Sequence, residues 1–172
     1  QGGAAENVPD YLSRNVFTYY SGSTSTNLAN SVNAVTATNT SLTPAMLDVP
    51  GFNASQLAEH IEWIRGRDVD DENNLNGTTD DRYVFGDPLH SRPVAITYGG
   101  TEDDPDVEVF FGTNSGAIQA VDAKTGVETF AFIPEALLPM QHDLRENLQT
   151  TAHPYGIDGT VSPWFNDHGA NG

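Results

Sequence analysis

The chain has no cysteine, which excludes disulfides, thiolate metal sites and cysteine nucleophiles and leaves the redox compartment open. Basic residues are scarce: 7 Lys+Arg stand against 24 Asp+Glu, a formal net charge of −17 over 172 residues. A nucleic-acid partner needs Lys and Arg to neutralise its phosphates, and an anionic membrane needs basic clusters. Both classes of partner are therefore disfavoured. No apolar run approaches the ~20 residues of a spanning helix, so no membrane insertion by this chain is expected. Catalytic signatures are missing too. There is no H-E-x-x-H and no G-x-S-x-G. Asp87, His90 and Ser91 are neighbours in one extended segment, and side chains that alternate between faces cannot converge into a triad. Asp87-Pro88 reads as a turn, with His90 and Ser91 bonding a sheet edge. His60, His142, His153 and His168 read as surface or packing residues. Gly112–Gly116 lies between two strands rather than opening a helix, which removes a phosphate cradle. The expectation is a protein that binds rather than one that catalyses, and the chain reads as a piece of a longer protein.

What is present divides into five stretches. Residues 1–42 are polar, rich in Ser, Thr, Asn and Ala, and read as an arm or linker with one possible strand at Asn15–Tyr20. Residues 43–66 read as short helices. Thr43-Pro44 starts one through Leu47. Asn53 caps a second with Gln56 three residues on, Leu57, Ile61 and Ile64 share a stripe, and Gly66 stops it. Trp63 beside the stripe reads as a packing residue. Residues 67–82 form an acidic loop. Residues 83–133 hold four short β segments, Val94–Tyr98, Val107–Phe111, Ala117–Val121 and Glu128–Ile133, separated by Gly-containing turns. Four antiparallel strands in about 40 residues match one propeller blade. Residues 134–172 read as a helical connection, with Met140, Leu144 and Leu148 on one side, then the start of a next blade at Val161–Phe165. The fold class expected is mainly β with helical insertions, a partial β-propeller of about one full blade plus the start of another.

The run from Asp68 to Asp81 is the densest collection of acids and amides. Calcium takes six to eight hard oxygens, and a loop that offers them at alternate residues with a glycine at its bend can wrap one ion. The best register begins at Glu72, with Asn74 and Asn76 next, Gly77 at the bend, the Thr78 carbonyl, and Asp80. Tyr83 stands where a full EF-hand has its bidentate Glu. Asp68, Asp70 or Asp71 can supply that carboxylate from the other side. The expected metal ligands are Asp70, Glu72, Asn74, Asn76, Thr78 and Asp80, and the expected cofactor is Ca²⁺. Magnesium is disfavoured by its demand for a tight octahedron.

Several blocks then occur in order: Trp63-Ile64-Arg65-Gly66, the acidic loop, Gly86-Asp87-Pro88-Leu89-His90-Ser91-Arg92-Pro93-Val94, Gly112–Gly116, Val121-Asp122-Ala123-Lys124-Thr125-Gly126 and Phe130-Ala131-Phe132-Ile133-Pro134. Together they resemble the PilC/PilY family of type IV pilus tip-associated adhesin and biogenesis proteins of Gram-negative bacteria. The resemblance covers roughly residues 55–165, and residues 1–50 carry no signature of it. It implies a C-terminal propeller with a calcium loop. It also implies a place at the cell surface beyond the outer membrane, as part of the fimbrium, and roles in pilus biogenesis, adhesion and twitching motility. Pilus subunits or a host or surface receptor would be the partners. The family loop carries mainly Asp at alternate positions, where this chain has Glu72, Asn74 and Asn76. Two other readings compete: a secreted interaction module using an exposed blade edge, and a fragment of a quinoprotein-type propeller enzyme. The second expects cofactor-stacking tryptophans, and the two present, Trp63 and Trp164, lie outside the blade.

Overall fold

A computed structural model describes residues 3–72, 74–75, 77–147, 155–157 and 159–164. Five strands form one open sheet in the order β1-β5-β4-β3-β2: β1 (Val16–Phe17), β2 (Val94–Gly100), β3 (Pro105–Gly112), β4 (Ile118–Asp122) and β5 (Glu128–Phe132). The last four are antiparallel neighbours joined by short turns, as the alternating pattern requires. One turn shows how its residues work. The Asp122 carboxylate accepts from the Lys124 and Thr125 backbone N–H groups and from the Thr125 hydroxyl, and those bonds hold its pKa below the ordinary carboxylate value. Gly126 then closes the turn at φ +73°.

Two α-helices pack with the sheet: α1 (Ala54–Arg65) and α2 (Met140–Glu146). α1 starts where the sequence places it. The Asn53 side-chain oxygen Oδ1 accepts from the Ser55 and Gln56 N–H groups, and the Gln56 side chain accepts from the Asn53 N–H. Gly66, at φ +120°, ends the helix by donating to the Glu62 and Trp63 carbonyls. Ile61 and Ile64 join Val16, Ala131 and Ile133 in one buried core cluster. Burying each such aliphatic side chain stabilises the fold by about 1.5–3 kcal/mol. The alternate residues of the sheet carry a row of rings: Phe17, Phe130, Phe110 and Tyr98 neighbour one another at 6.2, 6.2 and 6.4 Å between centroids. Tyr98 is exposed and the three phenylalanines are half-buried.

The structure departs from the sequence-based organisation in four places. Residues 3–42 are packed into the molecule rather than hanging from it. β1 adds to β5 in parallel, and Val16, Val35 and Leu42 enter the core. The segment is polar because its fixing interactions are hydrogen bonds. Buried Asn33 donates to the Ser25 and Asn27 carbonyls, and Asn39 to those of Val32 and Ala34. The expected strand at Asn15–Tyr20 shrinks to two residues. The expected helix from Thr43 to Leu47 is a series of hydrogen-bonded turns, interrupted where Asp48 takes φ +55°. A segment this short cannot propagate a helix. Of the segment Val161–Phe165, expected to begin a next blade, the described residues 161–164 show no strand. Leu148, His153, Phe165 and His168 lie outside the described residues.

Candidate functional site

The acidic loop leaves the end of α1 and returns beside it. Its neck is closed by the Asp68 N–H donating to the Asp80 carbonyl at 2.8 Å, a bridge between Arg67 and Asp81, and the Arg82 N–H donating to the Gly66 carbonyl at 2.8 Å. Asp68 is fully buried, and its carboxylate accepts from the Glu72 N–H at 2.7 Å, which curls the first turn of the loop. Asp71 and Asn74 take φ values of +52° and +57°. Asn and Asp tolerate that region better than other side chains, which accounts for their frequency here. Gly77, expected at the bend for its conformational freedom, has no positive φ. It serves by having no side chain: a Cβ there would meet the Asp80 Oδ1 at 2.6 Å.

Three arginines hold the loop. Arg145, from α2, grips Asp70 with two bonds of 2.7 and 2.8 Å. That pairing holds the Asp70 carboxyl below its usual pKa and raises the guanidinium. Arg82 lies 3.7 Å over the Trp63 ring, donates twice to the Trp63 carbonyl, and stands 4.0 Å from Glu72. Burial lowers its pKa to about 10, with Glu72 opposing the shift, so it remains a cation at neutral pH. Arg67 donates to the Thr78 carbonyl at 2.5 Å and pairs with Glu62. Glu72 also accepts from the Trp63 indole N–H at 2.7 Å.

The expected ligands are therefore placed as follows. Asp70 faces α2 through Arg145. Glu72 faces Trp63 and Arg82. The Asn74 side chain is exposed and its amide donates to the Glu72 carbonyl at 3.3 Å. The Thr78 carbonyl is taken by Arg67. Asp80 gives its carbonyl to the neck and its carboxylate lies against Gly77. Asn76 lies outside the described residues. Among the described residues, no three His, Asp or Glu side chains gather as a metal-ligand group. Sequence reasoning missed Arg67, Arg82 and Arg145. Arg67 and Arg82 were visible as bases bounding an acidic run, whereas Arg145 lies far along the chain.

The Asp87–Pro93 segment, outside the loop, supports the sheet. The Ser91 hydroxyl accepts from the buried Gly112 N–H at 2.8 Å, and the Asp87 N–H donates to the Asn114 side chain. Trp63 is a buried packing residue and also a hydrogen-bond donor, a role its position beside the apolar stripe does not reveal.

No family model matches the chain, and no solved structure matches it. Two curated relatives do. The chain is similar to the type IV pilus biogenesis factor PilY1 of Pseudomonas aeruginosa (strain UCBPP-PA14), at 30% identity over 133 residues, covering 64% of this chain and 11% of that protein. It is also similar to the type IV pilus biogenesis factor PilY1 homolog of Xylella fastidiosa (strain Temecula1 / ATCC 700964), at 28% identity over 130 residues, covering 63% of this chain and 10% of that protein. The chain thus spans about a tenth of the length of the curated relatives it matches. Over these residues the chain is similar to part of the PilY1-like type IV pilus biogenesis factors.

Proposed function

We propose that this chain serves type IV pilus biogenesis as a non-catalytic β module, a propeller blade of a larger cell-surface protein that contributes to adhesion and twitching motility. The similarity to two proteins whose names state pilus biogenesis carries this reading. The blade reading is supported by four consecutive antiparallel strands and by the aromatic row Phe17–Phe130–Phe110–Tyr98, a surface that a single sheet leaves partly open. Its partners on this reading are pilus subunits or a surface receptor. The test is genetic. In-frame removal of residues 54–147 in the cell that makes this protein is expected to reduce surface pili and twitching. A strain that keeps both overturns the proposal.

Calcium is a second reading, favoured by five carboxylates between Asp68 and Asp80. An ion there would have to draw Asp70 and Glu72 away from Arg145 and Arg82, so its binding would compete with those contacts. Calorimetry with Ca²⁺ on the purified chain tests it. Binding that is lost in an Asp70→Asn, Asp80→Asn variant supports calcium, and no heat at millimolar ion rejects it.

A further inference from the structure

His60 is fully buried in α1, and neither of its ring nitrogens has a hydrogen-bond partner; His142 Nδ1, on α2, is likewise buried and unpartnered. The surroundings form a cage of rings. His60 stacks on Trp63 at 6.2 Å with the planes 6° apart, and meets Phe52 and His142 edge-on at 6.0 and 5.9 Å. Phe52 also meets His142 edge-on at 6.0 Å. A phenylalanine would fill such a cage without stranding two polar atoms, so packing alone does not explain an imidazole here. The charged and titratable groups facing it are Arg145 and His142 from α2 and Asp70 from the acidic loop. Two of these three oppose a positive charge on His60.

We propose that His60, together with His142, is an acid-sensitive latch between α1 and α2: its protonation places a cation in a ring cage without acceptors, lifts α2 from α1, and breaks the Asp70–Arg145 tie between α2 and the acidic loop. The neutral ring is the only form the cage accommodates, because an imidazolium carries two N–H donors and finds no acceptor for either. Burial and the neighbouring positive groups accordingly depress its pKa to about 4. The element that yields is α2. It has seven residues, and its anchors are few: the Gln141 amide donating to the Ser115 carbonyl at 2.8 Å, Met140 against Gly116, Leu144 beside the core, and the Arg145–Asp70 pair. α1 is fixed by its caps and by Ile61 and Ile64, so it stays. The neck of the loop does not involve α2 and also stays closed. Acid therefore frees one side of the loop while the sheet remains folded, and the inference holds whatever larger role the module plays.

Amide hydrogen exchange of the purified chain between about pH 7 and pH 4, corrected for intrinsic rates, tests this. Residues 140–146 are expected to lose protection by about tenfold or more as the pH falls, while β3, β4 and β5 keep theirs. His60→Phe is expected to keep α2 protected to lower pH than in the unaltered chain, since the fully buried ring at position 60 then takes no proton. His142→Phe is expected to move the opening to higher pH, because it removes a positive neighbour. The same acid opening in His60→Phe, or undiminished α2 protection in the unaltered chain, would overturn the proposal. Should His60→Phe not fold, the His60 Cε1–H proton resonance decides it in the unaltered chain. Its titration in step with the loss of α2 protection supports the latch, and titration out of step rejects it.

Discussion

One buried ion pair is among the ties that pack residues 3–42 onto the sheet, and its loss is measurable. Arg14 donates from Nε to Glu128 Oε1 at 2.6 Å and from Nη2 to Oε2 at 3.1 Å, with side-chain exposures of 4% and 0%. Gln119 also donates to Glu128, and the Arg14 Nη1 donates to the carbonyls of Ile64 and Arg65 at the end of α1. One guanidinium thus joins the N-terminal segment, β5 and α1. Glu128→Ala strands a buried cation and an amide donor, and Arg14→Met strands a buried carboxylate. Each is expected to cost about 3–5 kcal/mol. The double variant Arg14→Met, Glu128→Leu removes both charges and leaves only neutral groups short of partners, at about 1 kcal/mol each. It should be less destabilised than the two losses added, with a coupling of about 2 kcal/mol or more. Urea unfolding at pH 7.5 followed by Trp63 emission measures this, since His60 is neutral there. A single variant that is unfolded in buffer while the double variant folds is the same result. A loss below about 1 kcal/mol for Glu128→Ala, or strict additivity, would refute the reasoning.

Other outcomes follow from the same contacts. Gly116 has φ +83° and its Cβ would meet the Met140 methyl at 2.6 Å, so Gly116→Val should cost about 2 kcal/mol or more by urea unfolding, whereas Gly159→Ala, with nothing within 4 Å, should be neutral. The pH dependence has a defined sign. His60 is depressed from 6.5 to about 4, so its neutral form stabilises the native state above pH 6.5. That contribution, about 3 kcal/mol, is lost as pH falls from 6.5 through about 4, and His60→Phe should flatten the urea midpoint across this window. Arg82→Lys keeps the charge but loses the planar fork over Trp63, so hydrogen exchange in residues 68–80 should quicken; unchanged exchange would show that charge alone holds the loop.

The sequence made some of this legible and not the rest, for physical reasons. The capping box at Asn53 and the stop at Gly66 are local, so the bounds of α1 could be read directly. Alternation and Gly-bearing turns similarly revealed β2 to β5, because neighbouring strands joined by tight turns pair without long-range information. The place of residues 3–42 was hidden, since a two-residue parallel strand has no pattern and Asn33 and Asn39 look like loop residues until their carbonyl partners come near. The acidic loop is visible in the sequence as a dense run of acids and amides. Its internal pairing was not visible, because Asp70 and Arg145 are separated by 75 positions. Nor does a helical stripe disclose that His60 is stranded among rings.

The central claim, that this β module serves pilus biogenesis through its folded structure, is tested most directly by counting surface pili. The count should be made in the cell that makes this protein, with Glu128→Ala, Gly116→Val and the control Gly159→Ala introduced one at a time. The account predicts that pilus number falls in the first two, in step with the measured loss of stability, and is unchanged in the control. Normal pilus number with the module demonstrably unfolded would contradict it.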